Sequence, residues 1–432
     1  MVSYSQKIRK LSIGKINVPD EIKVITSSKT LSGRLMPSFE DNPLSLVLKL
    51  DNGYNVGISF SKIKEICLVK KSKKTKTITR TMKSKNQLPT ILLIATGGTI
   101  ASRVDYETGG VIALSKPEDF LSMNPEISKI SNLKILQPFN VMSENMMFSH
   151  YSELAKIIGK EIKKYDGIII THGTDTLHYT SAALSFMFNN LEKPIAIVGA
   201  QRSSDRGSAD GVQNLLCAVH YCLSDIAEVS VVMHGSSDDD YCLAIRGTKV
   251  RKMHTERRDA FRPVNDEPLA KIWPSGQLEI LNKHYRKRGG CTEVNACLFN
   301  GVALIKAYPN SDPRIIDFHV KNGVKGIVFE GTGFGHVHED WIPIIEKYCK
   351  KLFFVQTSQC LYGRTNELVY SGLRKLNDLG VINGGDMLPE TAYIKLAWVL
   401  GQTSKRKDVE RLMKTNLVGE INKKSLYKTF LY

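Results

Sequence analysis

The alternation of apolar and polar positions changes character once along this chain, near Pro89. Before it come short runs with a period of two: Glu21-Ile22-Lys23-Val24-Ile25, Ser45-Leu46-Val47-Leu48-Lys49-Leu50 and Tyr54-Asn55-Val56-Gly57-Ile58. The last two flank Asp51-Asn52-Gly53, and because Asn-Gly accepts the positive φ of a type I′ turn, the pair predicts a hairpin. Residues 1–69 are therefore expected to form a small β-barrel module of SH3-like size. It holds no carboxylate pair, His/Cys cluster or glycine-rich loop, so docking is its expected role. After Pro89 the pattern becomes apolar strands alternating with amphipathic helices. Strands are predicted at 91–95, 167–170, 195–198 and 229–233, and a helix at 152–164, where apolar residues recur at helical spacing. Such alternation predicts a mostly parallel sheet with helices on both faces. A basic, glycine-containing stretch, His284 to Gly290, begins a connection, after which strands are predicted at 302–305, 326–329 and 352–355. The expected organisation is a docking module (1–69), a lysine-rich linker (70–88), a larger α/β domain (89–290) and a smaller one (291–432).

Charge adds a second division. The formal net charge is +17, and residues 1–85 hold 18 Lys and Arg against 6 Asp and Glu, so most of the excess lies ahead of the α/β domains. Lys70 to Lys85 carries eight basic residues and no acid. A solvated linker accounts for such a run, and contact with nucleic acid accounts for it as well, since cations near phosphates gain affinity by releasing counterions. Met1 to Lys7 has no apolar signal core and no stretch is long enough to span a bilayer, so a cytoplasmic protein with no membrane contact is expected. The eight cysteines form no Cys-x-x-Cys pair; neither a disulfide framework nor a metal is expected, although Cys291 and Cys297 have five residues between them.

Chemistry concentrates in two turns that each follow a predicted strand: Thr96-Gly97-Gly98-Thr99 and Thr171-His172-Gly173-Thr174-Asp175-Thr176. Turns at the carboxyl ends of parallel strands face one crevice, where open α/β sheets bind ligands. Neither Gly-x-Gly-x-x-Gly nor Gly-Lys-Ser/Thr is present there, which counts against a nucleotide, and a plain tight turn remains open. Amide hydrolysis would need a nucleophile, a base and donors for an oxyanion. Thr99 suits the first role, Thr174 and Asp175 stand in the second turn, and Gly247 to Lys252 offers a lysine as base. His172, His178, His336 and His338 lack metal-site spacing and are read as loop and packing residues.

ILLIATGGTIAS and IIITHGTDTLHYTSAAL resemble the two signature segments of the L-asparaginase/glutaminase family, and residues 89–432 fit its two-domain α/β architecture. The resemblance implies amide hydrolysis through a covalent acyl-enzyme, with Thr99, Thr174, Asp175 and Lys252 catalytic and Lys249 as the fallback lysine, whose loss should be mild. It also implies a substrate-binding set. In it, Tyr106 comes from a mobile flap, Ser143 holds the α-carboxylate, Asp175 holds the α-amino group, and Glu144 and Ala200 complete the contacts. Glu144 departs from the glutamine common in free-standing members. The closer resemblance, extending over the N-terminal module, Gly331 to Trp341, Cys360 to Asn366 and Met387 to Ala392, is to a subfamily, the D subunits of archaeal glutamyl-tRNA(Gln) amidotransferases. It implies hydrolysis of L-glutamine and delivery of ammonia to an E-type partner subunit, which amidates Glu-tRNA(Gln) using ATP and Mg²⁺. No cofactor is implied on this chain, and a homodimer within a heterotetramer is the implied assembly. A free-standing cytoplasmic L-asparaginase is the alternative. A silent RNA-binding scaffold is a third reading, and the intact threonines and lysine count against it.

Overall fold

The computed structural model describes residues 4–36, 44–50, 55–71, 88–97, 102–104, 111–113, 126–202 and 209–431. Most of the basic run therefore lies outside the described residues, as does the Asn52-Gly53 turn. The strands on either side of that turn, Ser45–Lys49 and Asn55–Ser59, pair antiparallel with Lys49 opposite Asn55, as a hairpin requires.

The N-terminal module is one six-stranded sheet around its own core of Ile8, Ile16, Ile22, Val24, Leu35, Leu46, Leu48, Ile58, Ile63 and Ile66. Irregularities of register in the pair Glu21–Thr26 and Ile63–Lys70 bend the sheet, which is how a small sheet wraps a core. The helix Tyr4–Leu11 and the strands Thr30–Leu35 and Ile63–Lys70 are additions that the apolar pattern does not predict. Within the helix Ile8 is fully buried and Tyr4 and Leu11 pack partly against the same core, so its apolar stripe is only three residues in a short, basic segment.

The larger domain is built on an eight-stranded sheet. Its spatial order runs Asn132–Leu136, Thr90–Ala95, Gly167–Thr171, Ile195–Val198, Val229–His234, Cys242–Arg246, Ala270–Ile272, Leu278–Ile280. The first five strands are parallel and the remainder antiparallel. Strands buried on both faces read as unbroken apolar runs, and here each run divides its side chains between two cores. Leu92, Ile94, Ile168 and Ile170 enter the core beneath the helices Phe148–Glu161 and Leu177–Met187, while Ile91, Leu93 and Ile169 enter the one beneath Gly211–Cys222. From Thr90–Ala95 the chain first adds a strand on one side and then returns to add Gly167–Thr171 on the other. That reversal is a topological switch point, and the crevice beyond it is where such sheets place ligands.

The smaller sheet is wholly parallel, in the order Val302–Lys306, Gly326–Gly331, Phe353–Ser358, Ile382–Asn383. Before reaching it the chain stays bonded to the larger domain: Arg288 donates to the carbonyls of Asp166, Ser224 and Cys222, and Asn295 N donates to Met187 O. The helix Pro389–Gln402 lies between the two sheets, with Ile394 in the larger domain's core and Ala392, Leu396 and Val399 in the smaller one's. Among the described residues no helix is long and apolar enough to cross a membrane, and no His, Cys, Asp and Glu group is arranged to hold a metal ion. All eight thiols are free, Cys291 and Cys297 exposed among them.

Candidate active site

Three turns leave the larger sheet side by side because their strands end in register, with Thr171 opposite both Ala95 and Val198. Thr96 closes the first gap, its backbone N–H and Oγ1 both donating to Thr171 O at 3.2 and 2.8 Å. His172 N closes the second on Val198 O. Gly97 has φ +116°, and a Cβ there would stand 2.6 Å from Val141 O, so only glycine lets the turn pass beneath the 140–145 segment. Thr99 and Tyr106 lie outside the described residues. The strands Ser102–Val104 and Val111–Ala113, which bracket Tyr106 in sequence, pair antiparallel as a hairpin.

The second turn, the 143 segment and the strand Val250–Lys252 converge. Lys252 Nζ donates to Thr174 Oγ1 at 2.8 Å and to Asp175 Oδ1 at 2.7 Å. Thr174 is buried, whereas the Asp175 side chain is 67% exposed. Ser143 is buried against Gly173, where any Cβ would come within 2.8 Å of its Oγ, and Thr176 Oγ1 donates to Ser143 O at 2.6 Å. Glu144 is exposed next to it. Ala200 is buried where the third turn begins. Of the expected site residues within the described chain, Lys252 thus contacts Thr174 and Asp175, and Ser143 lies against Gly173 of the same turn, although these come from stretches far apart in sequence.

Lys249 does not join them. Its ammonium, 0% exposed, meets Asp386 Oδ2 at 2.8 Å, and the Asp386 side chain is itself 1% exposed. Burial pulls the Lys249 pKa down, the attraction of Asp386 offsetting part of that. The expectation that loss of Lys249 is mild concerns hydrolysis; for stability the burial adds a cost, because that loss would strand a buried carboxylate.

Several supporting residues are invisible to the sequence pattern. Asp210, fully buried just ahead of the helix Gly211–Cys222, accepts hydrogen bonds from Gln201 N and Arg202 N and so pins the turn carrying Ala200. Burial raises its pKa. Asn214 donates to Gly199 O and to Asp210 Oδ2, fixing the same turn. The one signal in the sequence is an aspartate at a helix start, which predicts a cap for its own helix rather than a clasp on a turn nine residues earlier.

His172 and His178 are neutral packing groups. His172 is buried with Nδ1 2.6 Å from Gly173 O and Nε2 2.8 Å from Thr180 Oγ1; the carbonyl can only accept, so Nδ1 carries the proton and Nε2 accepts from the threonine. Burial lowers its pKa from 6.5 to about 4, and burial followed by the charges of Arg251 and Lys252 lowers that of His178 to about 3. In the unfolded chain both take up a proton near pH 6.5. Stability present above that pH is therefore lost as pH falls from 6.5 toward 4, by roughly 3 kcal/mol for His172 alone. Unfolding midpoints measured from pH 7 to pH 4.5 should fall less steeply in His172→Asn than in the parent; parallel profiles would refute this.

Comparison with known proteins follows the same outline. Residues 16–69 match the family described as GatD N-terminal domain, residues 90–286 the N-terminal asparaginase family, and residues 301–413 the glutaminase/asparaginase C-terminal domain. The chain is 49% identical to the D subunit of glutamyl-tRNA(Gln) amidotransferase from Pyrococcus abyssi, over 96% of this chain and 97% of that one. It is 44% identical to the corresponding D subunit from Methanothermobacter thermautotrophicus, over 98% of each. Among solved structures it is similar to the thermostable L-asparaginase from Thermococcus kodakarensis, with a TM-score of 0.71 and 28% identity, over 77% of this chain and 99% of that one. With such identity sustained over nearly its whole length, N-terminal module included, the chain belongs to the family of glutamyl-tRNA(Gln) amidotransferase D subunits, built on the asparaginase fold.

Proposed function

We propose that this chain hydrolyses L-glutamine through a threonine acyl-enzyme and supplies ammonia to an E-type partner subunit, which converts Glu-tRNA(Gln) to Gln-tRNA(Gln) using ATP and Mg²⁺ held on the partner. The observation that carries the chemistry is the contact of Lys252 Nζ with Thr174 Oγ1 at 2.8 Å. A hydroxyl is a weak nucleophile until a base takes its proton, and an amino group in direct hydrogen bond with a threonine is such a base once it has lost its own. In this reading Thr99 Oγ attacks the side-chain amide carbon, and its proton passes by way of Thr174 and Lys252 to the departing nitrogen, which leaves as ammonia. Water then cleaves the threonyl ester and releases glutamate. Asp175, largely exposed beside Lys252, takes the substrate's α-amino group. Ser143, Glu144 and Ala200 serve the end that receives the α-carboxylate, and Tyr106 closes over the site. The partner and tRNA would be met in the cytoplasm, as a homodimer within a heterotetramer.

A free-standing L-asparaginase is the second reading, favoured by the likeness to the Thermococcus kodakarensis enzyme. That likeness covers 77% of this chain and leaves the N-terminal module without a task. The two readings separate in one experiment, in which glutamine hydrolysis is measured with the chain alone, with partner, and with partner, Glu-tRNA(Gln) and ATP. The rate should rise along that series, because ammonia released without an acceptor is lost and a closing flap offers the means of coupling. Equal rates with strong asparagine hydrolysis and no tRNA-linked product would favour the asparaginase.

A further inference from the structure

The strand that carries Lys252 is held by its own domain on one face only, through Val250 in the larger core and Ser181 Oγ on Gly247 O just ahead of it. Val250–Lys252 pairs only with Phe261–Pro263, in a two-stranded ribbon apart from the eight-stranded sheet. Yet Lys252 Nζ must stay within hydrogen-bonding distance of Thr174 Oγ1, and a misplacement of about 1 Å can cost roughly a hundredfold in rate. The strand's other face is held from the smaller domain. Thr391 Oγ1 donates to Thr248 O at 3.0 Å, Lys249 Nζ donates to Asp386 Oδ2 at 2.8 Å, and Arg251 Nη1 lies 2.9 Å from Glu390 Oε1. All three partners fall within 386–391, the entry and first turn of the helix Pro389–Gln402, which packs against the smaller sheet.

Side chains alternate along a strand, so Arg251 points to the face opposite Lys252, and Lys249, in the turn just before the strand, meets Asp386, four residues from Arg251's partner Glu390. The face with Lys252 meets Thr174 and Asp175. We infer that Asp386, Glu390 and Thr391 are positioning residues for Lys252: the smaller domain grips the strand on its rear face and thereby sets the lysine against Thr174. The grip also sorts charge. Three cations lie within four residues, and each has its own carboxylate, so repulsion from Lys249 and Arg251 does not drive Lys252 from the crevice. Buried ion pairs contribute little net stability compared with apolar residues of the same shape, which fits a role in fixing one geometry rather than in holding the domains together.

The inference rests on Lys252 serving the hydrolysis proposed above, and the test keeps the two apart. Glu390→Gln keeps the shape of the side chain and removes its charge; Arg251, whose side chain is 26% exposed, can then turn to solvent, so the fold should survive. With the full chain, ammonia release from L-glutamine and L-asparagine should show kcat lowered about tenfold or more with KM within about twofold of the parent and an unchanged melting profile. Arg251→Gln should do the same, the double variant should be no worse than either, and Arg251→Lys should recover most of the rate. A kcat for Glu390→Gln within twofold of the parent, or losses in kcat and KM that merely follow a lowered melting temperature, would overturn the inference. Lys252→Ala measured alongside separates the failures: if it remains active, the role given to Lys252 is wrong instead.

Discussion

Thr99→Ala and Lys252→Ala should each lower glutamine hydrolysis by at least about a thousandfold, and the double variant should be little worse than either. The expectation follows from their sharing one chemical step: once the nucleophile is gone its base has nothing to activate, and the reverse holds equally, so the losses do not add. The 2.8 Å contact of Lys252 Nζ with Thr174 Oγ1 makes Thr174 the relay between them, and Thr174→Val should approach the same loss while keeping the shape of the turn. Ammonia release in steady state, with folding checked by melting temperature, gives the measurement. Near-normal release by a folded Thr99→Ala or Lys252→Ala chain would remove the threonine acyl-enzyme from consideration. A double variant that lost the product of the two single losses would show two independent contributions and break the proposed unit.

How much of this is legible in the sequence depends on whether the signal is local. The strands at 91–95 and 167–170 announce themselves because a doubly covered strand must be apolar throughout, and the turns after them stand out for their glycines and threonines. The Ser45–Lys49 and Asn55–Ser59 hairpin is legible from another local signal, the alternation of apolar and polar positions around Asn52-Gly53. Which lysine meets Thr174 is not fixed by any local rule. Lys249 and Lys252 share one strip of chain and meet different partners, so only the placement of that strip between two domains decides which of them meets the crevice. Asp210, Asp386 and Glu390 are hidden more thoroughly. Each acts on main chain or side chains contributed by another stretch, as with Asp386 and Lys249, separated by 137 positions. A single carboxylate in a sequence says nothing of what it will bind across a domain boundary.

The charge pair of Lys249 and Asp386 gives the largest expected effect on stability. With both side chains out of reach of water, Lys249→Ala removes the cation and leaves a carboxylate that still accepts Asn422 N but has lost its countercharge. Breaking a buried pair from one side costs about 3–5 kcal/mol, because the remaining ion can neither be paired nor hydrated. The converse follows from the same physics. Lys249→Met combined with Asp386→Leu removes both charges together and replaces them with apolar volume, so the double variant should unfold at a higher temperature than Lys249→Ala despite carrying two changes. The Asn422 N–H loses its acceptor in that variant, which should keep it below the parent by about 1–3 kcal/mol. Calorimetric scans of the three chains at one pH would read this order directly. If Lys249→Ala melts within about 1 °C of the parent, water reaches the Asp386 carboxylate and the pair is not a closed contact; if the double variant melts lowest, packing at this junction outweighs the charges.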